Sequence, residues 1–199
     1  MVKIIAHRIN TLKNLTSLDN NIFGVETDLR YYKNKPILSH TPNIKGENFD
    51  QFLNKTNKTI FLNIKSSGIL KNIISLVKNK NVFFLDISFS EIDFLFKLNL
   101  SKKILLRFSC YENFDLSNKY MKKIKWIWYD YFNDIKISIK HYRYFKKYNK
   151  KICLVSPDLL GKKKDILKYI KYLNKNKIII DAVCVKRENI KVWKNYYNY

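Results

Sequence analysis

The chain has 199 residues, 46% of them hydrophobic, and a formal net charge of +23. That composition is a globular one and not that of a disordered chain, and the length suffices for one domain with a buried core. No apolar run reaches the ~20 residues that a membrane helix needs, and the short start before His7-Arg8 does not read as a signal peptide; the expected setting is the cytoplasm, with no transmembrane segment.

Cys110, Cys153 and Cys184 show no ligand spacing, and the last two fall in apolar runs, so they read as reduced, buried thiols. A charge of this size fits an anionic partner. It also fits a chain rich in Lys, Asn, Ile, Tyr and Phe throughout, and the even spread of lysine favours this second reading for most of the charge.

The predicted elements alternate from the first residue onward. VKIIA (2–6) predicts a strand that ends on His7 and Arg8. Leu12, Leu15 and Leu18 recur at helical spacing. IFGVETDLR predicts a second strand carrying Glu26 and Asp28. YYKNKPILSH predicts a hairpin with Lys33-Asn34-Lys35 at its tip, and it delivers His40. Phe49, Phe52 and Leu53 mark a short helix, and TIFLNI (59–64) is the third strand. Leu70, Ile73, Ile74 and Val77 then follow at i, i+3, i+4, i+7. VFFL (82–85) ends in Asp86, and Ser88 with Glu91 makes a capping box. ILLRF (104–108), WIWY (126–129), ICLV (152–155) and IIIDAVCV (178–185) are the fifth to eighth strands. Helices are expected over 135–148, over 166–173 and from Glu188 to Trp193.

Eight mostly apolar strands, each followed by a helix or a hairpin, imply a parallel sheet. The predicted fold class is α/β: a single, short (β/α)8 TIM-type barrel over residues 1–199. An open doubly wound sheet is the alternative, and His7-Arg8-Ile9-Asn10 stands where its Gly-rich phosphate loop would be.

In such a barrel, functional groups collect at the carboxyl ends of the strands. His7, Arg8, Glu26, Asp28, His40, Asn63, Lys65, Asp86, Arg107 and Asp130 all fall at such ends. His7 and His40 can move protons near neutral pH, whereas His141, in a basic helix, reads as a surface residue. Glu26 and Asp28, at i and i+2, point to one side of a strand. Two close carboxylates repel unless a cation lies between them, and oxygen ligands suit Mg²⁺ or Ca²⁺. The plainer reading of that pair alone is an exposed strand end bonded to Arg30 or Lys33. Arg8, Lys65 and Arg107 suit a phosphodiester, or ion pairs with carboxylates at the same end.

Together these residues carry a resemblance. A-H-R at 6–8, E-x-D at 26–28 and S-H at 39–40 resemble the glycerophosphodiester phosphodiesterase family, within the phosphatidylinositol-specific phospholipase C-like barrels. The match covers Ile4 to Pro42. It implies general acid and base roles for His7 and His40, phosphate contact by Arg8, and a divalent cation on Glu26 and Asp28. The family's third-strand Glu-x-Lys appears here as Asn63-Ile64-Lys65, so the lysine is kept and the carboxylate is not. Ile9 stands where the family has glycine, and DAVCVKR replaces its Thr-Asp in the eighth strand. LNIKSSG, FFLDIS and VSPDLLG suggest a divergent bacterial branch.

The expected function is a metal-dependent phosphodiester hydrolase. Its substrate would be a small-molecule or glycan phosphodiester of the envelope or capsule, and its metal a divalent cation on Glu26, Asp28 and Asn63. Phosphate would be held by Arg8, Lys65 and Arg107, with no specific nucleic-acid partner. One alternative is a catalytically degenerate barrel that binds a phosphorylated ligand, motivated by the missing third carboxylate. Another is a basic nucleic-acid-binding protein, motivated by charge and aromatic content.

Overall fold

A computed structural model of the chain describes residues 1–112, 114–134 and 136–196. It is a mixed α/β structure. The strands are β1 (Lys3–Ala6), β2 (Gly24–Tyr32), β3 (Lys35–Leu38), β4 (Glu47–Asn48), β5 (Thr59–Ile64), β6 (Val82–Leu85), β7 (Leu105–Phe108), β8 (Trp126–Tyr129), β9 (Lys151–Val155) and β10 (Ala182–Val185). The helices are α1 (Leu12–Thr16), α2 (Phe49–Asn54), α3 (Leu70–Val77), α4 (Phe89–Lys97), α5 (Ile139–Lys147), α6 (Ile166–Lys175) and α7 (Ile190–Tyr196). The chain forms two compact units, one of residues Met1–His7 with Leu105–Tyr199, the other of Arg8–Ile104.

In the first unit all strands are parallel, in the order β1, β10, β9, β8, β7. Their residues are apolar without alternation because both faces are covered: Ile4, Ile5, Ile127, Trp128, Ile152, Leu154, Val183 and Val185 are all buried. The aromatic runs serve this core. Trp126, Trp128 and Tyr129 are buried, and Phe108 stacks on Tyr129 at 5.9 Å.

In the second unit β2, β5 and β6 are parallel, and β3 with β4 forms an antiparallel arm on β2. The hairpin tip is tighter than KNK: Tyr32 pairs with Lys35 across a two-residue turn of Lys33 and Asn34. Both turn residues have positive φ (48° and 58°), the type I′ geometry that matches strand twist. β4 has no counterpart among the predicted elements. It is held where Gly46 passes close over β3, since a Cβ on Gly46 would press into the carbonyl oxygen of Leu38.

Two predicted elements are shorter than their apolar patterns. The helix expected over 135–148 begins at Ile139, because Ser138 caps it by accepting from the His141 N–H at 3.0 Å; Ile135 lies outside the described residues. The strand expected over 178–185 begins at Ala182. Just before it, the Asp181 carboxylate accepts the Ile152 N–H at 2.9 Å, so a side chain takes a bond that the ladder would otherwise make. The predicted capping box is present: Ser88 accepts from Glu91 N, and the Glu91 carboxylate accepts from Ser88 N at 3.0 Å. Among the described residues no helix is long and apolar enough to cross a membrane. The three cysteines are free thiols; Cys153 and Cys184 are buried, whereas Cys110 is exposed.

Candidate active site

The second unit gathers six of the eight sequence-predicted site residues. β2 places Glu26, Asp28 and Arg30 on one side by its two-residue period. Glu26 and Asp28 are each only 1% exposed, so the pair is a buried one and the reading as an exposed strand end fails. In the parallel register with β5, Asp28 stands opposite Asn63. Arg30 passes both carboxylates by. Its Nε donates to the His40 carbonyl and its Nη1 to the Lys65 carbonyl, each at 3.0 Å, which ties the His40 loop to the end of β5.

The turn after β1 lies against β2 through the Ile9 N–H donating to the Glu26 carbonyl at 2.9 Å. Arg8, at φ 51°, sits in the left-handed region, where a non-glycine side chain costs about 1 kcal/mol or more. That conformation aims its N–H at Glu26 Oε2 (2.9 Å), while its guanidinium Nη2 reaches His40 Nε2 at 2.7 Å. Guanidinium has no acceptor, so Arg8 donates, His40 Nε2 accepts, and the ring proton resides on Nδ1. Burial and then the Arg8 charge hold the His40 pKa below its ordinary value, so the ring is neutral at pH 7.

Asn10 is the residue that sequence reasoning missed. Its Nδ2 donates to Asp28 Oδ2 at 2.9 Å, and its Oδ1 accepts from the Asp28 N–H and the Thr27 hydroxyl, both at 2.8 Å. The amide thus grips Asp28 by backbone and side chain. The available signal was an amide two residues past the A-H-R arginine.

Lys65 Nζ stands 4.0 Å from Asp28 Oδ1 and 3.6 Å from Asp86 Oδ2. Asp86 directly follows β6 at φ 58°, another left-handed residue at the site. Asn63 hydrogen-bonds Glu26 through its side chain, and its Oδ1 is buried with no hydrogen-bond partner. Burial, followed by repulsion from Asp28, pushes the Glu26 carboxyl up to about 8; the Arg8 N–H, Asn63 and Lys65 offset only part of this.

This donor set fits a hard divalent cation. It offers two buried carboxylates that repel one another and an amide oxygen with no other partner, all oxygen ligands. Among the described residues no group of three His, Cys, Asp or Glu side chains stands together at metal-binding separation. That agrees with an amide at position 63 where the family has a carboxylate.

His7 and Arg107 belong to the first unit. His7 follows β1, with its N–H on the Val185 carbonyl at 2.9 Å. Arg107 on β7 donates to the buried Asp130 carboxylate, which also accepts from Trp128 Nε1 at 3.1 Å, and it has Glu112 at 4.0 Å. The ion-pair reading of Arg107 is therefore the one its contacts follow. His141 is not a plain surface residue. Its ring packs edge-on to Phe108 at 5.0 Å, and Nδ1 shares a hydrogen bond with the Tyr129 hydroxyl at 3.0 Å.

No protein-family model matches the sequence, and no curated protein matches it. Among solved structures the chain is similar to the glycerophosphodiester phosphodiesterase from Agrobacterium tumefaciens str. C58. The TM-score is 0.66 at 12% identity, over 92% of this chain and 96% of that one. It is also similar to a Galdieria sulphuraria protein assigned as a glycerophosphodiester phosphodiesterase, with a TM-score of 0.46 at 11% identity over 100% and 98% of the two chains. The first likeness establishes a shared fold over nearly the whole of both chains. The family whose motif Ile4 to Pro42 resembles is thus also the family whose fold the chain has.

Proposed function

We propose that this protein is a divalent-cation-dependent phosphodiester hydrolase of the glycerophosphodiester phosphodiesterase type, on a closed (β/α)8 barrel. Five parallel strands in the first unit and three in the second, each followed by a helix, a turn or the β3–β4 arm, support the barrel. The observation that carries the chemical reading is the buried Glu26–Asp28 pair, with the unpartnered Asn63 Oδ1 beside it and the Arg8–His40 pair on the same strand-end turns.

Glu26, Asp28 and Asn63 would hold the cation. Bound there, it would polarise a phosphoryl oxygen. Lys65 and Arg8 would stabilise the charge that grows on the remaining phosphoryl oxygens. Arg8 has a second consequence. Its guanidinium is hydrogen-bonded to the proton-accepting nitrogen of His40. A phosphodiester competes for the guanidinium, because bidentate phosphate contact is stronger than a single bond to neutral imidazole. Substrate arrival then frees His40 Nε2 to take a proton from the attacking hydroxyl or water. His7, adjacent to Arg8 in the chain, is assigned the proton given to the leaving alkoxide on the strength of the motif. Arg107, engaged with Asp130, takes no phosphate role.

A screen of glycerophosphodiesters with Mg²⁺, Ca²⁺, Mn²⁺ and EDTA tests this. Turnover with one of the cations and none in EDTA is expected; full activity in EDTA would contradict the metal role. The second reading, a degenerate barrel that binds a phosphorylated ligand, is favoured by the amide at Asn63. It takes over if no phosphodiester is cleaved while one still binds in competition with inorganic phosphate.

A further inference from the structure

The first unit contains a concavity at the ends of its strands where β1, β9 and β10 begin. Its volume is about 600 Å³, within the range of small-ligand sites. Along β1 it lies roughly 13 Å from His7, at about 3.3 Å per residue. Trp126, Leu173 and Ile178 form its buried apolar lining, and Ile179, 68% exposed, makes an apolar lip. Lys3, Lys151 and Lys177 stand around it.

The chemistry of this lining is asymmetric. Its one carboxylate, Asp181, is already engaged by Lys146 Nζ at 3.2 Å and by the Ile152 N–H at 2.9 Å, so it does little to cancel the lysines. The ammonium of Lys151 lies over the Trp126 ring at 5.5 Å. That occupies the aromatic face on which a nucleobase would stack and leaves the aliphatic walls as the contact surface. We infer that this concavity is a binding site for a single-chain anionic amphiphile, an aliphatic tail on a phosphate or carboxylate head. The tail would lie along Leu173, Ile178 and Ile179, and the head would meet Lys151 and Lys177. This site is independent of the proposed phosphodiesterase chemistry.

The test is titration of the intact protein with dodecyl phosphate below its micelle-forming concentration, read by calorimetry. Saturable one-to-one binding is expected, with inorganic phosphate and the neutral dodecyl maltoside each at least tenfold weaker. Lys151→Gln with Lys177→Gln should weaken binding by about tenfold, because two exposed ion pairs to the head are lost. Ile179→Asp should weaken it further at unchanged melting temperature, since Ile179 is exposed. Equal binding of the maltoside, competition by inorganic phosphate alone, a signal only once micelles form, or wild-type affinity in Ile179→Asp would each overturn the proposal.

Discussion

At the scale of single residues, the Asp28 carboxylate is the best-supported group of the site, and its support comes from Asn10. Two hydrogen bonds of 2.8 and 2.9 Å between the Asn10 amide and Asp28 set both its backbone and its carboxylate, and a third at 2.8 Å holds the Thr27 hydroxyl. A residue that orients a metal ligand, as Asn10 would orient Asp28 on the proposed cation, typically contributes about 10- to 100-fold in metal affinity. Asn10→Ala should therefore weaken cation binding by that factor in calorimetry, while the protein stays folded by circular dichroism; unchanged affinity would mean that Asn10 only packs. Glu26 yields a second expectation. Its folded pKa of about 8 lies above the 4.5 of a free carboxyl, so the native state holds a proton that the unfolded state has lost. Stability of the cation-free protein should fall as pH rises from 4.5 to about 8, the window in which the native state binds more protons. Glu26→Gln should flatten that slope in urea titrations and remove stabilisation by added cation. His7, Arg8, Glu26, Asp28 and His40 were legible through the A-H-R, E-x-D and S-H patterns, although Glu26 and Asp28 lie within β2 and not at its end as expected. Asn10 was not, because a lone amide two residues past the arginine does not reveal a grip on a side chain 18 positions away.

At the scale of elements, long apolar runs were legible and interruptions by side chains were not. TIFLNI, VFFL and WIWY are strands over the residues that the pattern marks. IIIDAVCV is not, because Asp181 inserts its carboxylate where the ladder would begin, a tertiary event that hydropathy does not encode. The arm that delivers His40 shows the same limit. Its hairpin was visible from Pro36 and the tip residues, but β4 rests on a close approach. A methyl group at Gly46 would meet backbone, which cannot step aside as a flexible side chain can. Gly46→Ala should cost about 1–3 kcal/mol of stability in denaturant unfolding, the range for overpacking. A loss below a few tenths of a kcal/mol would mean that the arm shifts freely.

At the scale of the whole molecule, part of the +23 charge is structural. Lys58, Lys80, Lys103 and Lys150 each precede a strand and donate to backbone carbonyls. Lys58 and Lys150 each collect three, and Lys150 is buried. A composition count cannot separate these lysines from solvated ones, since the carbonyls they satisfy are identified only by the fold. Removing Lys150 would take the donor from the Lys122 and Ile124 carbonyls, each costing about 1 kcal/mol or more when buried, whereas the Met121 carbonyl keeps the Ile124 N–H. Lys150→Ala should therefore destabilise by about 2–4 kcal/mol, whereas Lys164→Ala, at an exposed turn, should change stability by no more than about 0.5 kcal/mol.

The central proposal is that the Arg8–His40 and Glu26–Asp28 pairs of the second unit act in phosphodiester hydrolysis, with His7 assigned the acid role by the motif, and turnover in histidine variants tests it most directly. On a glycerophosphodiester that the wild-type protein cleaves, His40→Ala and His7→Ala should each lose about 10²- to 10⁴-fold in kcat, the usual contribution of a positioned acid or base. Binding of a non-hydrolysable phosphodiester should survive in both variants. Wild-type turnover in both would contradict the account.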